Sequence, residues 1–501
     1  MSSRNGSRPT FSWPEKKFSA RKTFSFSQRV IIGVALCVAT PILVWGMGFS
    51  NYGNMAVVVT VVMFVVVFLD KGRLCLRGGD SAILSFTQEE INSLDEDVLP
   101  LYTMLVPLHK EVAMLEQIIR RIEMLDWPAD RKEVTLLLEW NDAEMIKASE
   151  RIKLPPGFRF ETVPKGKVQT KPNALNYGLS LATGDLLTIY DAEDRPDPYQ
   201  LKKAYLGFQR AGEKVVCLQS VLDFHNSGTN LLTVFFAAEY ASHYRMLLPG
   251  LVKSSSVVPL GGTSNHFRMK FIREVGGWDA YNVTEDAALG VDITMAGYKV
   301  GLIDSTTWEE ANSRLGNWIR QRSRWIKGYM QTYLVYMRNP WTLIRKLGWS
   351  NFLTFQLVFG LIPLTMVVNP IFWGMTIVYF VTGSSAIQSL YPTPVFYLAI
   401  MSMLPGNLFF VYVILTGCML RAASGDKNSQ GQVIWMLLAP LYWWLMSVAA
   451  WKGLWQLITR PHHWEKTNHG LIEAKLQARK IRSISPVPSP RMVPEMNSDI
   501  G

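Results

Sequence analysis

Three carboxylates crowded into four positions are the residues of this sequence most suited to chemistry. Asp191, Glu193 and Asp194 follow the apolar run 186–189 and are closed by two prolines. An apolar run that ends in carboxylates is typical of a buried parallel strand whose carboxyl end opens onto a ligand site. Carboxylates this close repel one another unless a cation lies between them, and oxygen ligands suit Mg²⁺ or Mn²⁺. The pattern predicts a divalent metal site; it leaves open a charged turn before a helix, with Asp197 as the N-cap.

The elements that position these carboxylates belong to a predicted α/β domain. Between residues 99 and 316, short apolar runs alternate with amphipathic stretches, which is the pattern of βαβ units on a mostly parallel sheet. We predict strands at 101–107, 134–138, 158–163, 186–189 and 215–222. Parallel strands open at one edge of a sheet, so Glu139, Asp142 and Lys171 are expected near the three carboxylates. Acidic groups, a lysine and a divalent ion suit a nucleoside diphosphate.

Several classes of protein are disfavoured by what the sequence lacks. It contains no G-x-x-x-x-G-K-[ST] phosphate loop and no G-x-G-x-x-G after a strand, which argues against kinases, ATPases and Rossmann dehydrogenases. The four cysteines are scattered, without zinc spacing or a disulfide framework. The net charge of +11 comes from the leader, segment 314–346 and the tail, which fits anionic lipid headgroups better than nucleic acid.

Long apolar runs predict a membrane protein. Hydrophobic residues make up 49% of the chain, and residues 30–48 and 51–69 carry no charge. Each run approaches the ~20 residues needed to cross a bilayer, and the basic flanks place the polar domain in the cytoplasm by the positive-inside rule. Further runs lie at 350–382, 393–420 and 431–457. A break at Asn369-Pro370 predicts two helices in the first of these, giving six spans and a cytoplasmic C-terminus.

Three more segments contain residues that could bind substrate. Gly262 and Thr263 lie in a glycine-rich loop that allows the backbone close to a ligand. Glu285 and Asp286 open a predicted helix, where acidic residues often serve only as caps. Residues 320–325 interleave arginines with tryptophan, the pattern of an interfacial amphipathic helix. Guanidinium groups there could also hold pyrophosphate while the indole stacks on a sugar ring.

Taken in order along the chain, these motifs resemble those of the processive family 2 glycosyltransferases, the cellulose-synthase-like membrane enzymes. The resemblance covers about residues 98 to 470 and depends most on T-E-D at 284–286 and Q-R-S-R-W at 321–325. Residues 464–470 are also similar to the family's gating-loop motif. The resemblance implies a membrane α/β protein in which a cytoplasmic GT-A (Rossmann-like) domain is inserted between N-terminal and C-terminal transmembrane helices that form a polymer channel.

The family also implies a role for each matching residue. Glu139 or Asp142 would bind the uridine, and Lys171, Asp191, Gln321, Arg322 and Arg324 the rest of the nucleotide sugar. Asp286, supported by Glu285, would be catalytic, and Trp325, Gly262 and Thr263 would bind the acceptor. Asp191, Glu193 and Asp194 would hold Mg²⁺ or Mn²⁺. The sequence departs from the family's motifs at two places. It has D-A-E-D where D-x-D is commoner, which leaves open which of Glu193 and Asp194 binds the metal. It also has Ala288 where the family often has a further carboxylate.

The resulting domain prediction has six segments. They are a basic cytoplasmic leader (1–29), a transmembrane hairpin (30–70), the GT-A domain (98–316), interfacial helices with Q-x-x-R-W (317–347), transmembrane channel helices (350–457), and a gating-loop-like motif with a basic tail (458–501). Trp443, Trp444, Trp451 and Trp455, with Tyr442, are expected to be stacking platforms in the channel or an interface belt. The expected location is a bacterial inner membrane.

The expected function is polymerisation of a β-linked polysaccharide, a β-glucan, from UDP-glucose. Alternatives are a synthase that uses UDP-N-acetylglucosamine, a non-processive exopolysaccharide transferase, and a non-catalytic sugar-binding scaffold. Expected partners are the UDP-sugar, the growing polysaccharide and membrane lipids, but no nucleic acid. The resemblance leaves open whether a second copy of the chain or accessory secretion proteins also bind.

Overall fold

The computed structural model describes residues 11–78, 82–391, 393–423 and 432–465. The first ten residues of the predicted leader lie outside the described residues. So do residues 466–470 of the gating-loop-like motif and the predicted basic tail that follows them.

Helices make up the two ends of the chain and alternate with strands between them. The helices are α1 (Phe26–Val34), α2 (Thr40–Met47), α3 (Phe49–Arg77), α4 (Gln88–Asn92), α5 (Leu115–Glu123), α6 (Ala143–Ser149), α7 (Lys171–Leu181), α8 (Gln200–Ala211), α9 (Leu231–Ser242), α10 (Leu248–Lys253), α11 (Met269–Glu274), α12 (Glu285–Met295), α13 (Leu315–Tyr336), α14 (Pro340–Phe355), α15 (Ile362–Thr382), α16 (Ser385–Ser389), α17 (Thr393–Ala423) and α18 (Ala439–Thr459). Turns of π-helix at Ala35–Ala39, His243–Leu247 and Gln356–Leu361 join neighbouring helices.

One mixed sheet forms the centre of the domain. Its strands are β1 (Ile83–Leu84), β2 (Tyr102–Leu108), β3 (Lys132–Glu139), β4 (Phe158–Val163), β5 (Leu186–Ile189), β6 (Arg195–Pro196), β7 (Val215–Phe224), β8 (Asn265–Arg268) and β9 (Lys299–Glu309). The order is β1-β9-β7-β8-β5-β2-β3-β4, with β6 beside β9. Pairing is parallel except where β8 meets β5 and β7, and where β6 meets β9. The predicted α/β class is confirmed, and each of the five predicted strands is present to within two residues at either end.

Helices cover both faces of this sheet, which explains why its central strands β2, β5 and β7 are mostly apolar and buried. All eight residues of β3 are buried. One apolar cluster joins α7 and α12 to the sheet through Leu175, Leu179 and Ile293. A second joins α5 and α8 to the opposite face through Ile118 and Leu201. The sheet is therefore the rigid middle layer on which the loops at the strand ends are mounted.

The segment before the first apolar helix packs against the sheet domain. Trp13 Nε1 donates to the carbonyl of Gly276 (2.8 Å), and Lys16 Nζ lies 2.7 Å from Asp292 on α12. The Ala20 amide donates to Asp279 (2.6 Å). The described part of the predicted basic leader is thus tied to the domain by specific contacts, in addition to whatever lipid contacts its charge favours.

Four helical stretches of the described residues are long and apolar enough to cross a membrane. They are Phe26–Met47, Ser50–Arg77, Pro340–Thr382 and Ile434–Thr459. They flank the sheet domain on both sides in sequence, as predicted. The predicted break at Pro370 is wrong, because α15 runs through this residue. Proline is tolerated in apolar helices whose neighbours satisfy the freed backbone group.

The last apolar helix, α18, lies alongside α13. Tyr442 near its start contacts Trp318 of α13, with ring centroids 5.2 Å apart. Ala450 packs with Ile326, and after the helix ends the carbonyl of His463 accepts from Lys327 Nζ (2.7 Å). Contacts therefore follow the two helices in the same direction, and the residues after α18 return to the sheet domain.

A buried ion pair connects α17 to the sheet. Arg421 Nε lies 2.9 Å from the carboxylate of Asp223 in β7, and both side chains are at most 3% exposed. Removing one partner of a buried pair leaves an uncompensated charge and costs about 3–5 kcal/mol. We expect Arg421→Met to lower the unfolding free energy by about that amount, seen as a lower melting temperature of the purified protein.

A double variant controls for lost packing at this pair. Asp223→Asn combined with Arg421→Met removes both charges, so it should be more stable than Arg421→Met alone. If the double variant melts no higher than the single one, the Asp223 charge is not the cause of the loss.

Candidate active site

Carboxylates converge where the parallel strands end. Glu139 is the last residue of β3, Asp191 follows β5 by two residues, and Glu309 is the last residue of β9. These strands run in the same direction, since β3 and β5 are parallel to β2, β9 is parallel to β7, and β8 is antiparallel to both β5 and β7. The three side chains therefore lie at the same edge of the sheet. This edge was the predicted location of the site.

A cavity of about 1430 Å³ opens at this edge and continues between the apolar helices. Its lining includes most of the predicted site residues: Glu139, Lys171, Asp191, Glu193, Gly262, Glu285, Asp286, Gln321, Arg322, Arg324 and Trp325. It exceeds the roughly 300–1,000 Å³ of an ordinary small-ligand pocket, so it has room for two substrates. Asp142, Asp194 and Thr263 are predicted site residues that do not line it.

Asp142 has a local structural role that explains its absence from the cavity wall. Its Oδ1 accepts from the Met145 amide (3.3 Å) and caps α6. Its Oδ2 accepts from the Lys110 amide (2.5 Å), where the backbone φ is +55°. Both oxygens are used to fix this loop, so Glu139 is the member of the predicted pair that lines the cavity.

Asp194 and Thr263 are turned into the protein. Asp194 is fully buried, and its Oδ2 accepts from the Asp191 amide (2.7 Å) and from the Thr263 hydroxyl. Burial, followed by the charges of Asp191 and Glu193, raises the pKa of Asp194 well above its usual value. Within D-A-E-D, Asp194 therefore closes the turn, while Asp191 and Glu193 face the cavity.

Lys171 connects three of the loops around the cavity. Its Nζ donates to Asp191 Oδ1 (2.5 Å) and to the carbonyl of Gly262 (2.9 Å). A Cβ placed at Gly262 would lie 3.1 Å from Asp286 Oδ2 and 3.7 Å from Lys171 Nζ. Although burial opposes it, the charges of Asp191 and Glu285 raise the pKa of Lys171, so it remains a cation. The absence of a side chain at Gly262 lets these groups approach one another.

Glu285 and Asp286 form the first turn of α12 at the same place. Asp286 Oδ1 accepts from the Ala287 amide (2.7 Å), as expected for a carboxylate at a helix N-terminus. Burial raises the pKa of Glu285 to about 8, and the charge of Asp286 adds to this. Burial also raises the pKa of Asp286. A carboxylate with a raised pKa binds a proton more strongly, which suits a general base.

The position where the family often has a further carboxylate faces away from the cavity. Ala288 is 4% exposed and belongs to an apolar cluster with Val257 and Tyr336. The Tyr336 hydroxyl donates to the Ala288 carbonyl (3.2 Å). A charged side chain would be buried here without a partner, so this departure removes no carboxylate from the cavity wall.

The two arginines of the 321–325 motif lie in different environments. Arg322 Nη1 donates to Glu239 Oε1 (3.0 Å), and its Nη2 donates to the Tyr442 hydroxyl (3.1 Å). Its guanidinium also lies 4.4 Å from the ring centroid of Phe236 and 4.8 Å from that of Trp325. Arg322 therefore joins α9, α13 and α18, and little of it remains to bind a ligand.

Arg324, by contrast, keeps its donors for the cavity. Its guanidinium stacks 4.4 Å from the ring centroid of Trp464, and among the described residues no acceptor or carboxylate pairs with it. Burial lowers the pKa of Arg324, while the charges of Glu285, Asp286 and Asp191 act in the opposite direction. A stacked and unpaired guanidinium that faces these carboxylates is suited to bind a phosphate.

Comparisons with known proteins identify the family of this chain. Residues 186–451, more than half of the chain, match the family model described as "Glycosyl transferase family group 2". The chain belongs to this family. The matched residues include strands β5 to β9 and the helices from α8 to the first part of α18.

The curated relatives share 23% to 27% identity with this chain over about half of its length. A "Probable glycosyltransferase YdaM" of Bacillus subtilis is 27% identical over 53% of this chain and 64% of its own length. A "Beta-monoglucosyldiacylglycerol synthase" of Synechocystis is 25% identical over 50% of this chain and 52% of its own length. A "Poly-beta-1,6-N-acetyl-D-glucosamine synthase" of Staphylococcus aureus is 23% identical over 48% and 59%. The chain thus spans about half to two thirds of these relatives.

A solved mannosyltransferase from Pyrobaculum calidifontis, in complex with GDP-Man and Mn²⁺, has 15% identity and a TM-score of 0.49. That comparison covers 81% of this chain and 99% of the other.

Several cavity residues of this family 2 member were missed by sequence analysis. Glu309 and Glu310 line the cavity, and burial, followed by the charges of Asp194, Glu193 and Asp191, raises the pKa of Glu309 well above its usual value. An acidic residue at a strand end was the available signal, but β9 was not predicted. Glu239 was missed because its importance arises from its contact with Arg322, 83 positions away.

The carboxylates are better suited to a divalent ion that is bound together with a substrate phosphate than to one bound by the protein alone. Among the described residues, no group of three or more His, Cys, Asp or Glu side chains is arranged to hold a metal ion. Mg²⁺ typically uses one or two carboxylates plus substrate phosphates. Asp191 and Glu193 face the cavity and supply that donor set.

Proposed function

We propose that this chain is an inverting glycosyltransferase that moves a hexosyl group from a UDP-sugar to an acceptor hydroxyl and extends a β-linked polysaccharide. The observation that carries the proposal is the meeting of Asp286, Lys171 and the Gly262 backbone in one cavity. A base and a cation are thereby held around one small volume. A displacement that needs proton removal and charge neutralisation at once requires this arrangement.

The donor half of the proposal assigns the nucleotide to the sheet edge. Glu139 accepts from the uracil, and Lys171 and Arg324 bind the diphosphate. Both cations are partly buried and lie in the same cavity as Glu285 and Asp286, so bulk water screens their attraction for phosphate only in part. Arg322 supports Arg324 indirectly, by fixing α13 to α9.

A divalent ion, Mg²⁺ or Mn²⁺, fits beside the diphosphate. Asp191 and Glu193 would hold it, and Asp194 would keep their turn closed. When bound, the ion neutralises charge on the departing diphosphate. Lys171 already pairs with Asp191, so this chain holds a positive charge next to the leaving group.

The acceptor half assigns the proton transfer to Asp286. Asp286 takes the proton of the acceptor hydroxyl, whose oxygen bonds to the anomeric carbon. The bond from that carbon to the phosphate oxygen breaks, and its electron pair leaves with UDP. One displacement inverts the anomeric centre, so an α-linked donor gives a β-linked product. The ring of Trp325, stacked with Tyr240 at a centroid distance of 6.1 Å, offers a face to the acceptor sugar.

A path for the product follows one face of α15. Thr365, Asn369 and Thr376 alternate there with Trp373 and Tyr379 along the cavity wall. Hydroxyl and amide groups between aromatic faces suit a sugar chain, which offers hydroxyls and apolar ring faces. This stripe favours repeated addition over a single transfer.

The predicted channel tryptophans divide into two groups. Tyr442 and Trp443 line the cavity, and Trp444 packs near Trp373 with ring centroids 6.2 Å apart. Trp451 and Trp455 are 49% and 68% exposed on the outer face of α18. The first group supports the channel proposal, and the second has the location of an interface belt.

A second candidate function is a single transfer to a membrane lipid. It is favoured by the apolar wall that α3 forms, where Val61, Phe64 and Phe68 line the cavity. A hydrocarbon chain suits that wall better than a glycan does.

We place the sheet domain on the cytoplasmic side of a bacterial inner membrane. Trp13, before α1, and Arg77, at the end of α3, both contact the sheet domain, so the helical hairpin begins and ends on one side. Both flanks are basic, which favours the cytoplasm.

A donor screen with product sizing tests the proposed function. Purified protein with Mn²⁺ is incubated with UDP-glucose, UDP-N-acetylglucosamine, UDP-galactose or UDP-glucuronate, and released UDP is measured. UDP-glucose is expected to react fastest and to give products many residues long. Preference for another sugar would change the donor, and products extended by one residue would favour the second candidate. No UDP release from any of them would favour the non-catalytic scaffold.

The Glu139 side chain predicts a pH dependence of donor binding. Burial raises the pKa of Glu139 to about 7. Above pH 7 the carboxylate is charged and accepts from uracil, whereas below pH 7 it is protonated and loses acceptor strength. The KM for the UDP-sugar should therefore rise several-fold from pH 8 to pH 6. Glu139→Gln should flatten the profile, and Glu144→Gln, at an exposed position nearby, should not. An unchanged profile in Glu139→Gln would remove Glu139 from the donor site.

A further inference from the structure

Lys71 lies where the cavity passes from the sheet domain into the apolar helices. It belongs to α3, six residues before the helix ends, and it lines the cavity. Its Nζ is 5.8 Å from the ring centroid of Trp443 on α18. An ionisable residue beside the apolar part of a helix is costly unless it meets a partner or a ligand.

The nearby carboxylates are already paired with other groups. Asp70 accepts from Arg73 (2.6 Å), and Glu239 is held by Arg322 and by the Tyr442 hydroxyl (2.6 Å). Among the described residues, no carboxylate forms an ion pair with Lys71. Lys71 therefore has no carboxylate of its own, although the charges of Glu239 and Asp70 attract it.

His243 lines the same passage. Burial, followed by the charges of Arg322 and Lys71, lowers the pKa of His243 to about 4. The imidazole is therefore neutral near pH 7 and does not add to the charge. An anion entering the passage between α3 and α18 would meet the ammonium group of Lys71, which forms no ion pair among the described residues.

On its membrane side the passage is apolar. Val61, Phe64 and Phe68 recur at helical spacing on the face of α3 that contains Lys71, and all of them line the cavity. Phe409 and Val413 of α17 line the same part. The passage thus combines a hydrocarbon-like wall with a cation at its inner end.

We propose that this passage binds a lipid phosphate, with the phosphate group at Lys71 and the hydrocarbon chain along the apolar face of α3. The inference rests on the proposed function in one respect, that the cavity is the acceptor side of a glycosyltransferase. The bound lipid places a membrane-borne acceptor or primer at the entrance to the catalytic carboxylates. A neutral glycan would leave the Lys71 charge unpaired, and free phosphate would leave the apolar wall without a ligand.

Lipid binding by the full-length purified protein tests this proposal without requiring turnover. The probes are radiolabelled dioleoyl phosphatidic acid, dioleoylglycerol with the same tails but no phosphate, and inorganic phosphate as competitor. The wild type should bind the phosphatidic acid at least about tenfold more tightly than dioleoylglycerol, a factor worth about 1.4 kcal/mol. Lys71→Met should abolish this preference, Lys71→Arg should keep it, and Arg77→Met, outside the cavity on the same helix, should not alter it.

Folding of the variants and the contribution of the tail need their own controls. Melting curves identify any variant that fails to fold, and Lys71→Gln replaces Lys71→Met in that case. Val61→Trp narrows the apolar wall and should weaken both lipids while Lys71 is intact.

Equal binding of the two lipids by the wild type, or an unchanged preference in the Lys71 variants, would overturn the proposal. Displacement of the lipid by inorganic phosphate alone would also overturn it, since it would show a free-phosphate site. UDP release from the same preparations is measured separately. Lipid selectivity without UDP release would contradict the proposed function only, and UDP release without selectivity would contradict the lipid site only.

Discussion

Asp286→Asn is expected to lower kcat by at least about 100-fold, because a positioned general base typically contributes 10²–10⁴-fold. Asparagine keeps the shape of the side chain and its position at the N-terminus of α12, but it cannot accept the hydroxyl proton. The donor contacts are made by other residues, so UDP binding should stay within about twofold of the wild-type value. Steady-state UDP release and calorimetric UDP binding measure the two effects.

Two further variants make the Asp286 result specific. Glu285→Gln should lower kcat less than Asp286→Asn. In the proposed reaction Asp286 accepts the hydroxyl proton, whereas Glu285 acts only through its charge on neighbouring groups such as Lys171. Asp304→Asn, at an exposed position on β9, should behave as the wild type. Substantial turnover in Asp286→Asn would show that another group is the base.

Substitution of Arg324 is expected to damage catalysis without damaging the fold. Arg324 has no ion-pair partner among the described residues and lines the same cavity as Glu285 and Asp286, so Arg324→Met removes the charge that we propose binds the diphosphate. Charge-assisted hydrogen bonds of this kind contribute about 1.5–3 kcal/mol, so kcat/KM should fall by roughly 10- to 100-fold with the melting temperature nearly unchanged. Kinetics and thermal unfolding of the same preparation provide the comparison.

Arg322 is the matched control, two residues away on the same helix. Arg322→Met leaves the partly buried carboxylate of Glu239 in contact with the Tyr442 hydroxyl without its cation, so the melting temperature should fall. Any loss of activity should be accompanied by this loss of stability. If Arg324→Met is the less stable variant and Arg322→Met the less active one, the two assignments are reversed.

The parts of the fold that sequence could predict are those with a local pattern. β5 is an apolar run closed by carboxylates, and it lies where expected because buried parallel strands contain few polar residues. β8 was missed, since Asn265 and His266 are polar and become buried only because the strand lies between β5 and β7. Its His266 accepts or donates a hydrogen bond with Tyr102 (2.6 Å), 164 positions away. No local pattern contains such a partner.

The same limit applies within the candidate site. The D-A-E-D motif indicated three carboxylates but could not show that Asp194 turns inward to the Thr263 hydroxyl. The two arginines of the 321–325 motif are equivalent in sequence, and contact with Glu239 on α9 separates them. A motif indicates which residue types a site contains, whereas the direction in which each side chain points depends on contacts with residues distant in sequence.

The break predicted at Pro370 failed for a physical reason of the same kind. Asparagine followed by proline ends most helices in water, because the freed backbone carbonyl and the ring clash must be accommodated. In an apolar helix packed against others, leaving the helix would expose more backbone groups, so α15 continues through the proline.

The anomeric configuration of the product tests the central claim most directly. The protein is supplied with α-linked UDP-glucose, and the glycosidic linkage it forms is determined by proton NMR. The account predicts a β-linkage, since a single displacement with Asp286 as base inverts the anomeric centre. An α-linked product would require retention of configuration, and it would contradict both the assigned base and the reaction proposed for this cavity.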